Sequence, residues 1–372
     1  MNRPRRFYLP FIHLSNPAAT IALLESEEIR LETGEATMSG PRLALIFPGQ
    51  GAQQPGMGRP WAGRPGWFLA ERAGEVSGRD VVELLLRADE DTLRRTDNAQ
   101  LATFVLEMVI LHEVRHALPA AKRPVVCAGH SLGEYAALVA AGIIGFDDGV
   151  RLVTARGEAM RAACATEPGT MAVVLGLSPE LVEQAAAGVR EDGGRVWVAN
   201  LNSPQQSVVS GESGAVARCA EAAQALGALR IVSIPVGGAF HTPLMRPAAH
   251  AFVRAAQAAE FRPGHAPVVA NVDARPHRGT DAWPQRLGQQ ITGPVRWAES
   301  VRTMADELYC DMFVEIGPGR TLTGLARKIT PQVSRLTISE PGQLVAVPAP
   351  APSPEDPSVT PSLRSSSVRS AA

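Results

Sequence analysis

The residues Gly129-His130-Ser131-Leu132-Gly133 place a serine hydroxyl where it could act as a nucleophile. The apolar run from Pro124 to Ala128 reads as a buried strand. The Ala- and Leu-rich run from Leu132 to Ala141 reads as a helix. A serine on so sharp a strand-to-helix turn has a strained backbone, and side chains two residues to either side would collide. Gly129 and Gly133 remove those collisions. The turn would lift the Ser131 hydroxyl above a sheet and aim the Leu132 N–H at an oxyanion formed there. The plain alternative is a strand–glycine–helix joint with an incidental serine.

A serine hydroxyl needs a general base. Of the eight histidines, His112, His116 and His250 fall on helical patterns, and His13, His265 and His277 lie among Pro or Gly. His130 should point away if Ser131 points up. His241 remains, in Gly237-Gly238-Ala239-Phe240-His241-Thr242-Pro243, after a strand and before a helix. It is either the base for Ser131 or a solvated loop histidine.

The elements that must position this pair follow from periodicity. Arg42–Phe47 reads as the first strand and runs into the Gly-rich turn Pro48–Gln53. Ala99–Ala117 is apolar on a helical period, and Asp147–Ala163 is a helix with Asp147 and Asp148 as its cap and charge. Strands at 171–175, 196–200, 207–210 and 229–235, with helices at 179–189 and 213–226, give β-α-β-β-α-β, the order of a small ferredoxin-like unit. Helices at 243–259, 284–291, 297–307 and 321–329 and strands at 268–272 and 312–316 complete the pattern. The fold class is therefore α/β: a hydrolase-like, mostly parallel sheet covered by helices, interrupted by a ferredoxin-like subdomain. The large domain takes residues 38–166 and 237–335, and the subdomain 167–236. Residues 1–37 read as a disordered leader or an over-extended start before Met38, and 336–372 as a disordered Pro/Ser-rich tail.

Composition narrows the function classes. The 372 residues are 45% hydrophobic and 20% charged, enough for a large core. A net charge of −1 supplies no reason for nucleic acid or an anionic membrane as partner. No apolar run is long enough to span a bilayer, and no secretory signal is evident. The four cysteines are far apart with no Cys-x-x-Cys pair, which fits free thiols in a cytoplasmic, reducing setting and offers no metal site.

The motifs together resemble a known family. Gly129–Glu134 and Phe47-Pro-Gly-Gln-Gly-Ala-Gln53 are similar to the malonyl-CoA:acyl carrier protein transacylases and polyketide synthase acyltransferase domains. The likeness continues through Asp97–Gln100, Arg156–Met160, Asn202–Gln205, Ala239–His241, Gln290, Glu315–Gly319 and Leu322–Leu325. It covers roughly residues 41–329. The resemblance implies Ser131 as nucleophile and His241 as base, the histidine oriented by the main-chain carbonyl of Gln290 rather than by a carboxylate. It implies an oxyanion hole from the N–H groups of Gln50 and Leu132. Arg156 would grip the free carboxylate of a malonyl group, with Gln100 lining the same pocket and Asn202 supporting it from the subdomain. On the residues alone, Arg156 could equally be a surface arginine on a helix, although Val153, Ala155 and Met160 around it are apolar or small. His130 would stand behind the reacting groups, and Glu134, Tyr135, Trp61 and Trp297 would be structural. Phe240, before the histidine, goes in this family with malonyl rather than methylmalonyl.

The resemblance further implies a malonyl-CoA substrate, an acyl carrier protein as partner through its phosphopantetheine thiol, no bound cofactor, and a monomer. Two rivals stand beside it. A serine acyl hydrolase would give the acyl group to water, but the α/β-hydrolase order expects an acidic residue between Ser and His. A non-catalytic scaffold that docks carrier proteins would have no use for Ser131, His241, Arg156 and the Pro48–Gln53 turn together.

Overall fold

The structure is a computed structural model that describes residues 41–118, 123–280 and 282–346. The expected leader and the chain beyond 346 lie outside these residues.

The central sheet has six strands in the order β10-β9-β1-β2-β7-β8. They are β1 (Leu43–Phe47), β2 (Val126–Gly129), β7 (Val268–Val269), β8 (Pro276–His277), β9 (Met312–Ile316) and β10 (Ser334–Ile338). Every pairing is parallel except β7 with β8. The apolar run of β1 shows why the sheet is covered on both sides. Leu43, Leu45 and Phe47 join one core cluster, and Ala44 and Ile46 join another. Successive side chains leave a strand on opposite faces, so a strand buried on both has no polar alternation to show. Around the sheet pack α1 (Phe68–Ser77), α2 (Val81–Leu86), α3 (Glu90–Arg94), α4 (Thr96–Ala117), α5 (Gly133–Ala141) and α6 (Phe146–Thr166). From the later chain come α9 (Arg246–Ala256), α10 (Trp283–Thr292), α11 (Trp297–Arg302) and α12 (Thr321–Ile329).

Between α6 and α9 the chain builds a four-stranded antiparallel sheet, ordered β4-β5-β3-β6. Its elements run β3 (Thr170–Leu175), α7 (Pro179–Glu191), β4 (Val196–Ser203), β5 (Gln206–Gly211), α8 (Ser213–Ala225) and β6 (Arg230–Ile234). Alternation divides the sheet's two faces. Ala172, Val174 and Val209 pack with Val182, Ala186 and Cys219 of its helices. Met171, Val173 and Val208 turn the other way and wall a cavity. Main-chain bonds from Val295 to Ala199 and from Leu201 to Val295 tie this sheet to the rest.

Several expectations change. The tail does not begin at 336: Ser334–Ile338 is an edge strand on β9, with Ile338 buried in the core, and a short 3-10 turn comes next at Pro341–Ala346. Asp147 and Asp148 do not cap α6, which begins at Phe146 after Gly145 without a side-chain cap. Asp147 instead pairs with Arg72, and Asp148 with Arg151. The expected strand over 268–272 shrinks to two residues because the chain turns back at Ala270–Ala274 to form β8. The helix expected over 243–259 is a 3-10 turn, Pro243–Met245, followed by α9.

Candidate active site

The turn after β2 explains its glycines by contact. A Cβ on Gly129 would lie 1.9 Å from the Gly133 carbonyl carbon, and one on Gly133 would lie 2.1 Å from the Phe47 carbonyl oxygen. Neither neighbour is a side chain that could swing away. Between them Ser131 adopts φ 53°, left-handed for a residue with a Cβ, at a cost of about 1–2 kcal/mol. His241 is also left-handed, at φ 60°. Strain at both positions must be held by surrounding bonds.

Those bonds assemble one network. Ser131 Oγ lies 2.7 Å from His241 Nε2, and His241 Nδ1 lies 2.8 Å from the main-chain oxygen of Gln290. A carbonyl can only accept, so Nδ1 carries the proton and Nε2 offers a lone pair to the serine. Burial, and then the charge of Arg156, push the His241 pKa down to about 3. The imidazole is therefore neutral at pH 7 and able to accept a proton. No carboxylate is needed to orient it, since a carbonyl fixes the same tautomer.

Arg156 comes from the middle of α6 and is 1% exposed, so the surface reading is wrong. Its Nη1 donates to Gln100 Oε1 at 2.7 Å, and its Nη2 donates to Ser131 Oγ at 3.0 Å and Gln290 Oε1 at 3.1 Å. Its carbon sits 5.5 Å from the Tyr135 ring centroid. Burial lowers its pKa, opposed by Tyr135 and Glu134. Among the described residues it forms no ion pair, and Nε finds no acceptor. A buried guanidinium so placed is one that a carboxylate entering beside Ser131 would complete.

A cavity of about 390 Å³ opens over this group. Ser131, His241, Arg156, Gln50, Phe240, Asn202 and His130 all line it, between the Pro48–Ala52 turn, the small sheet and the first residues of α12. Among the described residues, neither the Gln50 nor the Leu132 amide donates to a protein acceptor, which leaves both for a ligand oxygen. Gln100 is not part of the cavity wall; it is fully buried behind Arg156 and holds that guanidinium. His130 does not point away. The left-handed turn at Ser131 breaks the strand's alternation, and His130 shares the cavity wall, bonded to Asn202 Oδ1 at 2.8 Å and edge-on to Trp297. Among the described residues, no group of three or more His, Cys, Asp or Glu side chains could hold a metal ion.

Two roles are invisible in the sequence. The Gln290 side chain, not only its carbonyl, bridges the site: Nε2 donates to Ser131 O at 2.7 Å and to Glu134 Oε2. Glu134 is buried, and desolvation lifts its pKa to about 7. Asn271, fully buried after β7, bonds the main chain of the serine turn. No periodicity marks such residues, because their partners are distant in sequence.

A strained serine over the ends of parallel strands, with a neutral imidazole and an arginine that lacks an ion pair beside it, is an arrangement suited to acyl transfer. The chain belongs to the acyl transferase domain family, which it matches over residues 44–338. It is 36% identical over 306 residues to the malonyl CoA-acyl carrier protein transacylase of Bacillus subtilis, covering 81% of this chain and 94% of that protein. It is 37% identical over 326 residues to the polyketide biosynthesis protein ThaF of Burkholderia thailandensis, covering 86% of this chain and 26% of that longer protein. Among solved structures, an acyl carrier protein S-malonyltransferase from Vibrio cholerae matches with TM-score 0.77 and 33% identity, over 82% of this chain and 99% of the other. A malonyl-transacylase solved with its type II polyketide synthase acyl carrier protein matches with TM-score 0.78 and 36% identity, over 82% and 98%.

Proposed function

We propose that this chain moves a malonyl group from malonyl-CoA to the phosphopantetheine thiol of an acyl carrier protein through an ester on Ser131. The observation that carries this reading is Arg156: a buried guanidinium without a carboxylate partner, 3.0 Å from the serine oxygen. Malonyl is an acyl group with a free carboxylate one methylene beyond the reacting carbon.

In the proposed reaction, His241 Nε2 takes the Ser131 proton as Oγ attacks the thioester carbonyl. The N–H groups of Gln50 and Leu132 receive the oxyanion. The tetrahedral intermediate collapses, the C–S bond breaks, and His241 returns the proton to the CoA thiolate. The carrier thiol then enters, His241 takes its proton, the thiolate attacks the ester carbonyl, the C–Oγ bond breaks, and His241 returns the proton to Ser131 Oγ. Arg156 holds the malonyl carboxylate through both halves, and Gln100 and Gln290 hold Arg156. Phe240 limits width beside the acyl carbon, and Asn202 holds His130 at the cavity wall. No bound cofactor or metal takes part in these steps.

We assign residues 167–236 to a ferredoxin-like subdomain within a larger α/β domain; its support is the β-α-β-β-α-β order and the strand order β4-β5-β3-β6. The chain is read as a cytoplasmic monomer; the four free cysteines support the reducing setting. The hydrolase reading is weaker because it has no use for Arg156. Incubation with malonyl-CoA and a carrier protein bearing its phosphopantetheine arm separates the two. Malonyl-carrier protein should form faster than free malonate; malonate as the main product would favour the hydrolase.

A further inference from the structure

Asn271 lies outside the cavity wall and touches no reacting atom, yet it grips the serine turn at three points. Its Oδ1 accepts from the Ser131 N–H at 2.7 Å, at the apex. Its Nδ2 donates to the Gly129 carbonyl at 2.7 Å, at the end of β2. Its own N–H donates to Glu134 Oε1 at 3.1 Å, in the first turn of α5. Its carbonyl accepts from the Arg296 N–H at 3.1 Å, which anchors it to the start of α11. The strand end, the apex and the helix start are thus tied to one fully buried residue.

A left-handed φ at a residue with a Cβ persists only where neighbouring groups over-determine it. At Ser131 the carboxamide of Asn271 satisfies the N–H on one side, and Gln290 Nε2 satisfies the carbonyl on the other. An amide is the side chain that fits here. Its two ends must be one acceptor and one donor, facing an N–H and a C=O that both lie out of water. Both bonds set the direction of Ser131 Oγ and of the Leu132 N–H next to it.

We propose that Asn271 is a positioning residue for acyl transfer: it clamps the serine turn so that Ser131 Oγ and the Leu132 N–H meet the same carbonyl. It does so without contributing to recognition of the acyl group. The proposal rests on Ser131 being the nucleophile but not on malonyl being the substrate.

This separation sets the test. Asn271→Asp keeps the volume and the acceptor but loses the donor to Gly129; Asn271→Ala loses both. Pre-steady-state acylation is measured with malonyl-CoA and with acetyl-CoA, per folded molecule as judged by thermal unfolding. The acylation rate constant should fall about 10- to 100-fold, as misplacement of a reacting group by about 1 Å does. The fall should be the same factor for both acyl groups, larger for Ala than for Asp, with half-saturation for malonyl-CoA within about twofold of wild type. If Asn271→Ala does not fold, Asn271→Asp decides. Wild-type rates in the folded Asp variant, or a loss confined to malonyl or to half-saturation, would overturn the proposal. Loss of Ser131 acylation in the wild type would instead overturn the reading of the nucleophile.

Discussion

Replacing Arg156 with alanine tests the reading of the acyl group most sharply. The guanidinium is 1% exposed, and three of its bonds go to neutral oxygens of Gln100, Gln290 and Ser131. A bound malonyl carboxylate would have this one cation to neutralise it, out of bulk water. Truncating one partner of such a desolvated pair costs about 2–5 kcal/mol. At about 1.4 kcal/mol per factor of ten, kcat/KM for malonyl-CoA should fall roughly 30- to 4,000-fold. Acetyl-CoA brings no carboxylate, and its methyl group no longer faces a buried charge, so its kcat/KM should hold or rise. Because Arg156 also touches Ser131 Oγ, the two substrates must be compared on the same enzyme preparation, following CoA release spectrophotometrically. An equal loss with both would mean that Arg156 serves the serine and not the carboxylate. Unchanged malonyl transfer would refute the recognition argument altogether.

Phe240 is 6% exposed in the cavity wall, and the role proposed for its ring is to exclude an α-methyl branch. Malonyl-CoA should outcompete methylmalonyl-CoA by about 10- to 200-fold, the range one such carbon commands, and Phe240→Ser should narrow that ratio; equal use of both esters by the wild type would remove Phe240 as selector. His241→Ala should slow acylation by several orders of magnitude, read by stopped-flow CoA release, while circular dichroism stays native. The same histidine leaves a mark on stability. It is held neutral with its pKa lowered to about 3, whereas the unfolded chain protonates it near 6.5. Its contribution is fully present above about pH 6.5 and declines as pH falls toward 3, by up to about 1.4 kcal/mol per pH unit. Denaturant unfolding between pH 7 and 5 should show a shallower decline in His241→Ala than in the wild type, and parallel slopes would contradict the burial of a neutral imidazole.

The parts of the site that are legible in the sequence share one physical trait: the constraint is local. Gly129 and Gly133 flank Ser131, and the clash that a side chain at 129 would make with the Gly133 backbone lies within the turn and can be anticipated from spacing, whereas the clash at 133 is with the Phe47 carbonyl at the end of β1. The strands of the central sheet read as apolar runs because β1 and β2 are buried on both faces. The parts that stay hidden depend on chain segments far apart. Nothing near Asn271 marks it as a partner of Gly129, 142 positions away. Family resemblance puts Gln100 in the acyl pocket, whereas its amide faces the arginine from behind. Strand alternation sends His130 away from the cavity, but that rule ends where Ser131 takes φ 53°. The last three residues of the edge strand Ser334–Ile338 read as tail because Pro and Ser dominate the chain beyond it, while its place is set by pairing with β9.

The most direct test of acyl transfer through Ser131 is intact-mass analysis of the protein mixed with malonyl-CoA, combined with peptide mapping. One malonyl adduct should form on the peptide containing Ser131, vanish when a carrier protein bearing its phosphopantetheine thiol is added, and reappear on that carrier. Ser131→Ala should acquire none. An adduct on the Ser131→Ala protein, or a wild-type adduct that only water removes, would contradict the proposed transfer.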